Sequence, residues 1–298
     1  MLLDGFDRRF VAANGIRLHV RTKGPTGGGK APLLLLHGYP QTLEMWHGIA
    51  PALAETYDVV LADLRGYGDS SKIEGSDTHE EFSKRTMAQD AVTLMRALGH
   101  DRFIAVGHDR GGRVVHRLCL DHPEAVTKAC VLDIIPTRTM FATMTAETAK
   151  AYWHWLFLAQ PRPFPERMMA ADPDTYLEHT LGASLGAGGL GIYAPEALSA
   201  YREAFRDPGT LHAVCEDYRA AATIDLVHDE ADQENRIACP LLVLWGATGL
   251  MARTYDFAAE WRAKADHVVA EPIEAGHFLV EEAPDAVLAS LTRFLTTA

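Results

Sequence analysis

Short, mostly apolar runs of strand length recur along this chain and leave few architectures open to it. They are Pro32–Leu36, Tyr57–Ala62, Phe103–Gly107, Lys128–Ile134, Leu241–Gly246 and His267–Ile273. A strand wetted on one face alternates polar and apolar side chains, whereas near-continuous runs mark strands buried on both faces of a parallel sheet. Helical periodicity fills the gaps, over Trp46–Leu53, Arg85–Leu98, Gly111–Leu120, Thr254–Lys264 and Pro284–Leu295. Strands and helices in alternation wind into a doubly wound α/β sheet. Two further runs, Phe10–Ala13 and Ile16–Thr22, flank Asn14-Gly15 and read as a hairpin. The expected sheet has about eight strands, mostly parallel.

One interval breaks the alternation. Residues 136–237 carry no convincing strand, only helical and Gly/Pro-punctuated segments rich in aromatics. An insertion of that length between two parallel strands predicts a helical cap over the carboxyl edge of the sheet, where such sheets bind ligands. The chain therefore divides into an α/β core, residues 1–135 and 238–298, and a cap, residues 136–237. A length of 298 residues with 48% hydrophobic side chains suits one core with one insertion. Within the cap, the glycine cluster Gly182–Gly191 reads as a loop.

A net charge of -12 argues against nucleic acid or an anionic membrane as partner. The four cysteines, Cys119, Cys130, Cys215 and Cys239, show no CxxC spacing and read as free thiols, mostly buried. Met1–Asp7 has neither a basic nor a long apolar region, and no stretch is long enough to span a membrane, so a cytoplasmic protein is expected. Gly24–Lys30 has P-loop spacing, but Ala31 stands where a magnesium-binding Ser or Thr belongs, and a strand follows. His228-Asp229-Glu230-Ala231-Asp232 lacks the helical spacing of metal ligands and reads as a solvated acidic run. Neither a cofactor nor a metal is expected.

The chemistry concentrates at Gly107-His108-Asp109-Arg110-Gly111, between the run ending at Gly107 and the helix beginning near Gly111. Strand, sharp glycine turn and helix form the setting of a nucleophile elbow. A carboxylate at its tip suits attack on saturated carbon, which makes Asp109 a displacement nucleophile. Such an elbow needs a histidine after the last strand, and Ala275-Gly276-His277-Phe278 supplies it. No carboxylate follows Leu241–Gly246, but Asp133 ends the preceding strand and can reach the same imidazole. Backbone donors for an oxyanion then come from Arg110, after the nucleophile, and from Tyr39, after the third strand, in a loop shaped by His37 and Gly38.

His37-Gly38-Tyr39-Pro40, Asp63-Leu64-Arg65-Gly66-Tyr67-Gly68-Asp69-Ser70, the Asp109 elbow and Gly276-His277 together resemble the α/β-hydrolase dehalogenases and epoxide hydrolases along essentially the whole chain. More narrowly, Gly107–Arg113 with Trp153-His154-Trp155 resembles the fluoroacetate dehalogenases, which implies a triad acid at Asp133 and a homodimer. The chemistry of the residues agrees. Asp109 attacks carbon to form an ester; His277, held by Asp133, then activates water to hydrolyse it.

Arg110 and Arg113 are three residues apart and share a face of one helical turn. Cations oppose the dipole at a helix N-terminus by roughly 0.3–1 kcal/mol each, unless an anion lies above them. Arginine forks suit a carboxylate, which favours a small 2-halo acid over a neutral haloalkane. The resemblance assigns the halide pocket to His154, Trp155 and Tyr218; Trp153 reads as packing, and Tyr152 and Tyr201 as possible cap-lining residues. An epoxide hydrolase with the same triad, using Tyr218 and Tyr152 as acids, is the alternative. A non-catalytic ligand-binding receptor on a hydrolase fold is the remoter one.

Overall fold

The computed structural model describes residues 2–24, 30–182 and 189–297, so most of Gly24–Lys30 and of Gly182–Gly191 lies outside the described residues. One sheet holds β1 (Asp7–Ala13), β2 (Ile16–Lys23), β3 (Pro32–Leu36), β4 (Asp58–Ala62), β5 (Phe103–His108), β6 (Val126–Leu132), β7 (Leu241–Gly246) and β8 (Val268–Ile273). Their order across the sheet is β1-β2-β4-β3-β5-β6-β7-β8. The β1–β2 hairpin turns on Asn14 and Gly15 at φ 46° and 81°, the positive-φ pair that a tight hairpin needs. β2 is antiparallel to both neighbours and every other pairing is parallel.

Leu33–Leu36, Val59–Ala62, Ala129–Leu132 and Leu241–Leu244 are buried throughout, as strands covered on both faces must be. α3 (Arg110–Asp121) packs on β5, β6 and α2 (Lys84–Ala97), while α13 (Phe257–Arg262) and α14 (Pro284–Thr296) cover β7 and β8. Two expected helices are broken. Trp46–Leu53 becomes a 3-10 turn, Leu43–Gly48, and a single turn α1 (Ala50–Leu53), because Pro51 has no N–H to carry the ladder through. Thr254–Lys264 divides into α12 (Leu250–Thr254) and α13; Tyr255 and Asp256 are extended, and the Asp256 side chain caps the Ala259 N–H at 2.9 Å.

Between β6 and β7 the chain forms no strand among the described residues, only helices, a 3-10 turn (Gly189–Ile192) and one isolated bridge from Ile237 to Ala265. The helices are α4 (Thr137–Ala142), α5 (Ala146–Ala151), α6 (Trp153–Leu158), α7 (Phe164–Ala171), α8 (Pro173–Gly182), α9 (Pro195–Phe205), α10 (Pro208–Ala222) and α11 (Ile224–Ala231). α10 is the core of the insertion, with every residue from Thr210 to Ala221 buried. The acidic run on α11 is paired rather than merely solvated: Arg117 donates to Asp229 at 2.8 Å, Arg85 to Asp232 at 2.9 Å and Arg138 to Glu230 at 2.7 Å. All four cysteines are free; the sulfurs of Cys119 and Cys239 lie 4.0 Å apart. No helix among the described residues is long and apolar enough to cross a membrane.

From β3 the chain passes to β4 on one side and then to β5 on the other. The carboxyl ends of β3 and β5 therefore border the crevice that open α/β sheets form at a topological switch point.

Candidate active site

Asp109 stands in that crevice, between β5 and α3, at φ 44° and ψ -113°. A non-glycine residue at positive φ is strained, and strain of this kind persists only where the surroundings over-determine it. They do so here through close packing. A Cβ on Gly111 would lie 2.4 Å from the Leu36 carbonyl oxygen, and one on Gly38 would lie 2.5 Å from the Asp109 Cβ. The Tyr39 N–H donates to Asp109 Oδ1 at 2.9 Å, and no hydrogen bond reaches Oδ2 among the described residues. Burial pushes the Asp109 carboxyl up, but the charges of His277 and Arg110 outweigh it and leave the group below its ordinary range. One carboxylate oxygen is thus held and the other is free. The Arg110 N–H, at the first turn of α3, likewise has no acceptor among the described residues.

His277 follows β8, with Nδ1 2.6 Å from Asp133 Oδ2. Asp133 lies just past β6 at φ 50°, and its second oxygen accepts the Gly246 N–H at 3.0 Å. Glu282 fixes the loop around the imidazole by accepting the Gly276 and Phe278 N–H groups at 2.8 and 2.9 Å. Behind it, His108 Nε2 donates to the His277 carbonyl at 2.8 Å. Burial lowers the imidazole pKa of His277, but the hydrogen bond and charge of Asp133 more than reverse this, and the net shift is upward. With Nδ1 committed to Asp133, Nε2 is the nitrogen left for proton transfer.

Asp109, Asp133 and His277 share one cavity with Arg113, Tyr152, His154, Trp155 and Tyr218. It is a cavity of about 40 Å³. That is room for a ligand of few heavy atoms.

The two arginines part company. Arg110 is fully buried and does not line the cavity: Nε and Nη2 donate to the Asp217 carboxylate at 3.0 and 2.6 Å, and Nη2 also to the Asp217 carbonyl at 3.0 Å. The sequence put Arg110 and Arg113 together on a substrate carboxylate; in the structure α10 carries a carboxylate that already occupies two edges of the Arg110 guanidinium. Only Arg110 Nη1 lacks a partner. Arg113 lines the cavity and has neutral partners only: Nη1 donates to the Ile135 carbonyl at 2.9 Å and to Thr137 Oγ1 at 3.0 Å, while Nε is buried and unpaired. Burial and the neighbouring Arg110 push its pKa down to about 10, so it remains a cation near neutral pH.

Asp217 escaped the sequence reading. It also accepts from the Tyr67 hydroxyl at 2.7 Å and from Lys84 Nζ, tying α10 to the core. The available signal was slight: Glu216 and Asp217 interrupt a helix that is otherwise suited to burial.

His154 stacks on Tyr39 with ring centres 5.6 Å apart, and burial pushes its pKa down to about 3, so the ring is neutral. Tyr218 lies edge-on to Trp155 and His154 at 5.7 and 5.8 Å, and its hydroxyl is buried without a partner. Burial raises its pKa well above that of a free phenol, so it keeps its proton. Tyr152 lines the cavity, whereas Tyr201 does not and instead donates to Glu281 at 3.0 Å. Trp153 packs on Tyr176 and Phe157. No group of three or more metal-ligand side chains occurs among the described residues.

Switch-point crevice, strained acidic elbow and histidine–acid pair define a class, and the chain belongs to it: the family profile described as "alpha/beta hydrolase fold" matches residues 31–284. The protein is a hydrolase built on the Asp/His/acid network of that fold. It is 45% identical over 297 residues to a fluoroacetate dehalogenase from Burkholderia sp., covering 100% of this chain and 96% of that protein. Among solved structures it is similar to ALR0039 from Nostoc sp. PCC 7120, provisionally named an alpha/beta hydrolase, with 48% identity, a TM-score of 0.96 and 100% coverage of both chains. It is similar also to a Pseudomonas aeruginosa protein provisionally named an epoxide hydrolase, at 46% identity and a TM-score of 0.92, covering 99% of this chain and 97% of that one.

Proposed function

We propose that this protein hydrolyses small 2-halo acids such as fluoroacetate to the 2-hydroxy acid and halide. One observation carries the reading: Arg113 is a buried cation that faces the cavity with no carboxylate partner. An uncompensated buried charge is costly, and a ligand carboxylate beside it removes the cost. Arg113 Nε, buried and unpaired on a side chain that lines the cavity, is the spare donor for that carboxylate. The small cavity favours an acid with few carbons.

With the acid so held, Asp109 Oδ2 attacks the carbon next to the carboxylate. A C–O bond forms as the C–halogen bond breaks, and the halide leaves among the donors of His154, Trp155 and Tyr218. Fluoride, small and strongly basic for a halide, needs several donors at once, and these side chains present neutral N–H and O–H groups. His277 Nε2 then takes a proton from water, which adds to the Asp109 ester carbonyl; the oxyanion accepts from the N–H groups of Tyr39 and Arg110. Collapse releases the 2-hydroxy acid and restores Asp109.

The similarity to an enzyme named for epoxides supplies a second reading, with Tyr152 and Tyr218 both lining the cavity. A neutral epoxide leaves Arg113 unpaired, which weighs against it. Halide release from fluoroacetate and chloroacetate, set beside diol formation from propylene oxide, separates the two. Epoxide opening with no halide release overturns the proposal.

A further inference from the structure

We infer that the same site also opens 2,3-epoxy carboxylic acids, of which glycidate is the smallest, to 2,3-dihydroxy acids. The inference rests on the haloacid reading, because it uses the same grip on a carboxylate. In a 2-halo acid the leaving atom is bonded to the carbon beside the carboxylate. In glycidate an oxirane oxygen is bonded to that same carbon. With the carboxylate at Arg113 and Asp109 attacking from the far side, the oxirane oxygen falls where the halide would, against His154, Trp155 and Tyr218, which all line the cavity. Glycidate exceeds a haloacetate by a single heavy atom.

The two leaving groups differ in what they need. A halide departs as a stable anion and requires hydrogen bonds alone. An alkoxide is far more basic and requires a proton. The Tyr218 hydroxyl is buried in the site with no partner, a position that costs desolvation and is explained by a ligand atom that accepts from it. The Arg110 guanidinium carbon lies 4.3 Å from the Tyr218 ring centre, and Asp217 holds it there. A fixed cation against this ring offsets part of what burial and the charges of Asp109 and Asp217 do to disfavour the phenolate that forms when the proton is given up.

The step balances. Asp109 Oδ2 bonds to the carbon beside the carboxylate as its C–O bond to the oxirane breaks, and the released oxygen takes the Tyr218 proton. Water, activated by His277, then hydrolyses the ester; the alcohol oxygen leaving Asp109 is protonated by His277. The Asp109 carboxyl so formed returns a proton to the Tyr218 phenolate. The sum is epoxide plus water giving diol.

The test incubates the intact protein with glycidate, propylene oxide and chloroacetate in parallel, measuring glycerate, propanediol and chloride. The expected result is glycerate formation, with kcat/KM for glycidate at least about tenfold above that for propylene oxide, as a charge-assisted carboxylate contact provides. In Tyr218→Phe both acid substrates slow, and the ratio of glycidate to chloroacetate turnover falls by about a hundredfold or more, the usual worth of a general acid. A single turnover in ¹⁸O-water places the label on Asp109 rather than on glycerate. Chloride release without glycerate overturns this inference while leaving the haloacid reading standing. Equal rates on glycidate and propylene oxide, or an unchanged ratio in Tyr218→Phe, overturn it as well. If neither acid is turned over, the haloacid reading itself fails.

Discussion

Asp217→Asn is the substitution that asks most of the structure. The native carboxylate accepts from Arg110 at 2.6 and 3.0 Å, from the Tyr67 hydroxyl at 2.7 Å and from Lys84 Nζ, and every one of these side chains is buried. Asparagine keeps the shape but removes the charge, and it turns an amide N–H₂ toward a donor. Two buried cations are then left with little to balance them; Asp225 Oδ2 stands 3.6 Å from Lys84 Nζ, while Arg110 loses its counterion altogether. Breaking a buried ion pair from one side costs about 3–5 kcal/mol. At about 2–4 °C per kcal/mol for a chain somewhat smaller than this one, the midpoint of thermal unfolding should fall by roughly 6–20 °C. Arg110 and Lys84 hold the Asp217 pKa well below the ordinary carboxylate value of 3.8, against a burial effect that would raise it. A depressed folded-state pKa gives stability that is present above the unfolded value and is lost as pH falls through the folded one. The gap between wild type and variant should therefore stay constant from neutral pH down to about 5 and narrow only in stronger acid. Circular dichroism melts across that range read it directly. Lys84→Met in the same background should cost less than the two single changes added together, because the second substitution removes one of the stranded cations. A melting midpoint within about 2 °C of wild type, or strict additivity with Lys84→Met, would refute the charge network as drawn.

His277→Gln should still form the Asp109 ester and then stop, releasing one equivalent of halide per protein and raising the mass of the intact chain by the carboxyalkyl fragment; sustained halide release in that variant contradicts the division of labour. Arg113→Met removes the free cation while keeping bulk, and one charge-assisted hydrogen bond at about 1.5–3 kcal/mol predicts a loss of at least about tenfold in kcat/KM for chloroacetate. Chloroacetamide, which has no charge to grip, should be spared, and equal losses on both substrates would count against the carboxylate assignment. The water-activating step needs neutral His277, whose pKa lies above the ordinary 6.5 through Asp133 despite burial. The rate of that step should fall as pH drops through a value above 6.5, and Asp133→Asn should move this limb downward while slowing the reaction. A wild-type limb at or below 6.5 speaks against the pair.

The eight strands, the hairpin at Asn14-Gly15 and the helical insertion were legible because each is written in local pattern: runs of apolar residues, a turn dipeptide, a long gap without a strand. That Asp109 and His277 come together in one cavity was legible for a related reason, since the fold fixes where along the chain such groups stand, and glycines mark the tight approach at Gly111 and Gly38. What could not be read was the balance of charge. Whether Arg110 meets a substrate or a protein carboxylate depends on where α10 lies, and Asp217 is more than a hundred positions downstream with no periodicity linking the two. The broken helices at Pro51 and Asp256 are smaller instances, decided by a missing N–H and a side-chain cap rather than by hydrophobic spacing. The consequence for the site is specific. The sequence put a pair of arginines in one helical turn on a substrate carboxylate; in the structure Asp217 pairs with the first and holds it against Tyr218. That leaves Arg113 as the cation with charge to spare. On the proposed reading, substitutions at Arg113 and at Asp217 should separate in their effects: the first on which substrates bind, the second on stability and on how readily Tyr218 can part with its proton.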